Sequence, residues 1–137
     1  TADYNASEWK QGKAPLGYYT GGSRDYQTTL SFGDDAANKY IAYYIRKEFQ
    51  LSDTPANDDT FTLNYIADDG FVVYVNGVEV YRYLMPEGNI QYSSYATTYA
   101  NGNPDKGSFN IAPSYFRKGR NVIAVEVHNN VPGSTAI

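Results

Sequence analysis

Apolar side chains recur at every second position along much of this chain, and helical periodicity is scarce. In Thr60-Phe61-Thr62-Leu63-Asn64-Tyr65-Ile66, Phe61, Leu63 and Tyr65 fall on one face, with threonine and asparagine opposite. That alternation predicts a half-buried strand. The turn-like Asp68-Asp69-Gly70 follows, then Phe71-Val72-Val73-Tyr74-Val75, Asn76-Gly77 and Val78-Glu79-Val80-Tyr81. Asn-Gly between two β-rich runs predicts a tight hairpin, because both residues tolerate the positive φ of a type I′ turn. Further strands are predicted over Tyr40 to Phe49 and over Asn121 to His128, the second fed by the turn Lys118-Gly119-Arg120-Asn121. Shorter extended pieces are expected near Trp9 and around Ser108 to Ile111. Between Leu84 and Lys106 lies a long excursion rich in Tyr, Ser, Asn and Gly. A connection of that length in a small domain is usually functional or carries structure of its own. Short strands separated by Gly, Asn and Asp turns predict an all-β antiparallel sandwich of the jelly-roll kind.

Composition narrows the function classes. A length of 137 residues suits one domain, 1–137, and a hydrophobic share of 42 % can fill one core. Tyrosine dominates the aromatics, at 15 against 6 Phe and 1 Trp. It serves half-buried strand faces and contact surfaces equally well. The net charge is −4, and no cluster of Lys or Arg interrupts the scattered acids, which argues against a nucleic-acid partner. Cysteine is absent, so disulfides, thiolate metal sites and cysteine nucleophiles are excluded together. No apolar run approaches the roughly 18 residues that would insert into a membrane. For an exported domain, the signal peptide is expected to lie outside this segment.

Four separate blocks resemble galactose-binding-like jelly-roll modules of the type appended to secreted bacterial carbohydrate-active and surface proteins. They are Trp9-Lys10-Gln11-Gly12-Lys13-Ala14-Pro15-Leu16-Gly17-Tyr18, Tyr44 to Phe49, Ala67 to Val80 with Arg82 and Met85-Pro86, and Gly119 to His128. Together they cover nearly the whole chain in the expected order. The resemblance implies a β-sandwich with an accessory role, extracellular or at a cell surface. It supplies no ligand, since such folds host unrelated functions. It also implies a strand ahead of Trp9 and a closing strand after the stretch Asn129 to Ile137. Either this segment is trimmed from a longer protein or a neighbouring subunit donates the missing strand.

Candidate chemistry is sparse. Asp68-Asp69 could offer carboxylates to structural calcium, and the pair resembles the paired-aspartate loop of sugar-binding PA14-type adhesins. The plainer reading is a tight turn whose aspartates bond to their own backbone. Asp34-Asp35 and Asp58-Asp59 read as loop chemistry. His128, the one histidine, shares a face with Glu126 opposite Ile123, Val125 and Val127, which points to a structural or rim role. Trp9 sits in the opening motif of the look-alike modules, where it reads as core. The binding candidates are Tyr83, Tyr92, Tyr95 and Tyr99 in the excursion, with Arg82 beside them and Tyr18, Tyr19 and Tyr26 in the first long loop. Loops on a rigid sandwich are where binding residues concentrate. Arg82 could clamp a hydroxyl pair or a carboxylate, or fix its own loop through a salt bridge.

The expectation is therefore a non-catalytic carbohydrate-binding-like module, with a polysaccharide or glycan as partner and no cofactor. The alternative is a structural subunit of an extracellular filament, surface layer or adhesin, in which copies share strands through exposed sheet edges. A glycoside-acting enzyme ranks last, because no nucleophile motif or metal constellation is present.

Overall fold

Alternating sequence becomes antiparallel sheet throughout the residues that the computed structural model describes, 3–99 and 104–137. The larger sheet has the strand order β3 (Ala42–Leu51), β8 (Gly119–His128), β5 (Gly70–Val75), β6 (Val78–Tyr83). Facing it is a two-stranded sheet of β4 (Phe61–Ala67) and β7 (Asp105–Ile111). The short β1 (Leu16–Gly17) and β2 (Thr28–Thr29) pair in parallel at one end. A single 3-10 turn at Pro113–Tyr115 leads toward β8. This is an all-β antiparallel sandwich, as the alternation predicts. The Asn-Gly hairpin forms as expected: Asn76 and Gly77 take φ of 51° and 86° and join β5 to β6.

The two faces of the larger sheet are covered in different ways. On the inner face Val75, Ile111 and Phe116 form a buried cluster with Phe49, Phe61, Leu63 and Phe109 against it. Phe71 meets Tyr65 at 4.8 Å between centroids, and Tyr81 stacks on Phe109 at 3.8 Å. On the outer face the Tyr-rich excursion folds down, and Val72, Met85 and Ala96 make a second small core with Tyr74 and Ile90. Gly70 permits that approach, because a Cβ there would fall 2.7 Å from Met85 Sδ and 2.8 Å from the Leu84 carbonyl. Backbone bonds from Thr97 to Leu84 and from Ala96 to Asn129 pin the excursion down.

The inner face is only partly roofed. Beside β4 a slot of about 230 Å³ opens between the sheets, lined by Ile45, Leu63, Tyr65, Val125, Val127 and Ile137 among others. Within the described residues β4 pairs only with β7, and Ile66 on its outward face is 63 % exposed.

Several expectations need correction. No strand forms near Trp9, whose segment is turn and coil. Trp9 is not core either: it lies 37 % exposed on that segment, packed against Tyr4. A tryptophan outside the strands has no sheet to bury it. The extended piece at Ser108 to Ile111 grows into β7, so the excursion ends at Pro104 rather than Lys106. Residues 100–103 of it lie outside the described residues.

Candidate functional site

Strand register assembles a groove on the outer face. Tyr44 of β3 lies opposite Glu126 of β8. One step along, Arg46, Ala124 and Tyr74 fall in a row across β3, β8 and β5. The small Ala124 leaves a floor between two long side chains. The N-terminal segment supplies a wall, where Tyr4 and Trp9 lie with centroids 5.7 Å apart. The resulting groove is about 400 Å³, bounded by Tyr4, Trp9, Tyr44, Arg46, Tyr74 and Glu126. Tyr44 is 49 % exposed, so its ring face is open to a ligand.

The floor is polar and fixed. Tyr74 donates to Glu126 Oε1 at 2.5 Å, and His128 Nε2 stands 3.6 Å from Glu126 Oε2. Burial disfavours charge on Glu126, but the facing His128 ring and the Tyr74 hydroxyl outweigh it and hold the carboxyl below its ordinary range. A carboxylate has about four acceptor positions, so Glu126 keeps capacity for a ligand hydroxyl. Burial, then the nearby Glu126 and Tyr92, push the Tyr44 phenol up, so it stays a neutral donor. Tyr74 is raised by burial and by its bond to Glu126. His128 is fully buried rather than at a rim. Its Nδ1 donates to the Ser94 carbonyl at 2.7 Å, since a carbonyl can only accept, and this ties the floor to the excursion. Arg46 bonds Glu48 Oε1 at 2.8 Å.

The sequence-predicted residues do not converge on this groove. Arg82 and Tyr83 are neighbours on β6 and lie opposite Val72 and Phe71, so they occupy opposite faces. Arg82 grips both Glu79 carboxylate oxygens at 2.8 Å and donates to the Pro86 and Gly88 carbonyls, which fixes the loop after β6. The ring of Tyr83 packs on Phe71 and Tyr65 between the sheets. Its hydroxyl donates to Asp105 at 2.7 Å, and that bond, with burial, takes the phenol up to about 12. Tyr92 and Tyr99 are exposed and Tyr95 is half-buried, all on the excursion. Tyr18, Tyr19 and Tyr26 pack their own loop: Tyr18 is buried beside Asn129, Arg24 lies over the Tyr19 ring, and Tyr26 donates to the Ile137 carbonyl.

Asp68 and Asp69, joined by a cis peptide bond, bond to protein groups. Arg24 contacts Asp68 Oδ2 at 2.6 Å, and Asp69 Oδ2 accepts the Asn130 N–H at 2.9 Å. Calcium takes roughly six to eight oxygen ligands, and a guanidinium so close is a poor neighbour for a divalent cation. Among the described residues no group of three or more His, Cys, Asp or Glu gathers anywhere. Asp35 and Asp59 cap their own loops by accepting the amides of Ala37 and Ala56.

What sequence reasoning missed is the cross-strand row itself. Alternation puts Tyr44, Arg46 and Glu48 on one face of β3, and Glu126 on the matching face of β8. Only the register between the strands joins them. The class this fold defines is the antiparallel β-sandwich. No protein-family model matches the chain, and no curated protein or solved structure shows significant similarity to it.

Proposed function

We propose that this domain is a non-catalytic carbohydrate-binding-like module of an exported protein, and that the outer-face groove is its binding site. One observation carries the reading: exposed rings of Trp9 and Tyr44 border a groove whose polar groups, Arg46 and Glu126, are held by other side chains. Aromatic faces pack on the C–H faces of pyranose rings, while fixed charged groups select hydroxyls. The resemblance to galactose-binding-like modules supports the same reading. So does the excursion of Tyr92, Tyr95 and Tyr99, which borders the same sheet face. Affinity electrophoresis against a panel of polysaccharides tests it. Retention should fall by about tenfold or more in Trp9→Ala and Tyr44→Ala. A chain that no polysaccharide retards would end this reading.

A second reading is favoured by the other half of the molecule. The uncharged β4 edge and the apolar slot beside it suit an extended strand contributed by a neighbouring copy, as in a filament or adhesin. Sedimentation over a wide concentration range tests it, and a strictly monomeric chain would remove it.

A further inference from the structure

We propose that the groove continues past the edge of β3 into a basic stretch, and that its ligand is an anionic polysaccharide bearing carboxylate groups. The inference rests on the glycan-binding reading and names the class of glycan. A second cavity, about 600 Å³, adjoins the groove and shares Trp9, Tyr44, Ile45 and Arg46 with it. A chain passing over the Trp9 ring would run from one space into the other. The second space is lined by Lys10, Arg46, Lys47 and Glu48. Glu48 is the single carboxylate among its described lining residues, and both Arg46 and Arg120 hold it: Arg46 at 2.8 Å, Arg120 at 2.7 and 2.9 Å. Lys10 and Lys47 are exposed and enter no ion pair among the described residues.

Exposed charges act on a ligand over a Debye length of about 10 Å. Around this stretch stand Lys10, Lys47, Arg46 and Arg120 against Glu48, with Asp3 3.8 Å from Arg120. The lining of the second space itself carries three cations, Lys10, Arg46 and Lys47, against the one carboxylate of Glu48, on a chain whose net charge is −4. Glu126 lies toward the other end of the groove. A protein repelling anions over most of its surface would orient a polyanion toward this stretch. Lys47 falls on the inward-facing line of β3, between Ile45 and Phe49, yet it is exposed. Its ammonium therefore meets solvent instead of core. At the other end of the groove Glu126 is the negative group. It suits hydroxyls, so carboxylates are expected over the lysines and bare rings over Tyr44.

The test compares polygalacturonate with the same polymer fully methyl-esterified, using affinity electrophoresis and calorimetry on the 137-residue chain. Polyglutamate serves as an anionic chain without sugar rings. The free acid should bind at least about tenfold tighter than the ester. That preference should shrink with added salt and vanish in Lys10→Glu/Lys47→Glu, whose exposed positions leave folding intact by circular dichroism. Equal binding of acid and ester, or binding of polyglutamate as tight as polygalacturonate, would overturn the inference. If neutral polysaccharides bind through Trp9 and the acid shows no advantage, the glycan reading stands and this inference falls. If nothing is retained, both fall.

Discussion

The outer groove and the slot between the sheets use similar aromatic material for different ends. Tyr65 and Phe71 line the slot, and beside it the rings meet each other: Tyr65, Phe71, Tyr81, Tyr83 and Phe109 stand within 3.8 to 6.5 Å between centroids. In the groove Trp9 and Tyr44 turn a face to solvent, and the groups beneath them are charged and held in place. An apolar cleft without fixed polar groups accepts any matching surface, whereas a few placed hydrogen-bonding groups confer orientation. Aromatic content therefore cannot locate the site. What locates it is the charged floor under the rings.

The largest test of that separation is Phe71→Ala. Phe71 is 3 % exposed and lies on the inner face, away from the groove. Truncating it should cost about 3–5 kcal/mol, read as a lower urea midpoint at unchanged slope. The folded fraction should still be retarded by polysaccharide as wild type is. Loss of binding by the folded protein would show the two regions to be coupled.

Tyr74→Phe acts on the groove floor with a smaller effect. It removes the 2.5 Å bond to Glu126 and leaves a buried carboxylate short of a donor, at a cost of about 1–2 kcal/mol. The pH dependence fixes the sign. Glu126 has its folded pKa below the ordinary 4.5, so its stabilising contribution is complete above that value. It is lost as pH falls through the lowered folded pKa. Without the Tyr74 hydroxyl the folded pKa moves back up and less stability remains to be lost. Thermal melts of Tyr74→Phe between neutral pH and about pH 3 should therefore converge on those of wild type. A constant offset across that range would mean the phenol stabilises through packing alone.

The fold was legible where local pattern suffices. Phe61, Leu63 and Tyr65 predict β4, and Asn76-Gly77 predicts its hairpin, because period two and positive φ are properties of a few adjacent residues. The groove was not legible. Arg46, Ala124 and Tyr74 are separated by 28 to 78 positions of sequence, and a slip of one residue in register would send each to the other face. Arg82 and Tyr83 mislead for the same reason. They are adjacent in the chain and so appear as one candidate, yet adjacency in a strand puts them on opposite sides. Trp9 misleads because a lone tryptophan is usually buried, and nothing in its own segment tells that it has no strand to lie under.

The smallest expected effect sharpens the contrast between sheet edges. The free edge strands β3, β6 and β7 carry Arg46, Lys47 and Glu48, Glu79 and Arg82, and Asp105 and Lys106, whereas β4 has no charge. Charged residues on an edge discourage strand addition, so among the described edges of the two longer sheets β4 alone lacks that protection. Ile66→Lys places a charge on its exposed outward face. Folding stability should change by no more than about 0.5 kcal/mol, as for most surface substitutions. Concentration-dependent association, measured by sedimentation, should weaken, and retention by polysaccharide should not move. Association that persists unchanged in Ile66→Lys would assign the contact to another edge, and the slot beside β4 would then be no more than an unfilled gap in the core.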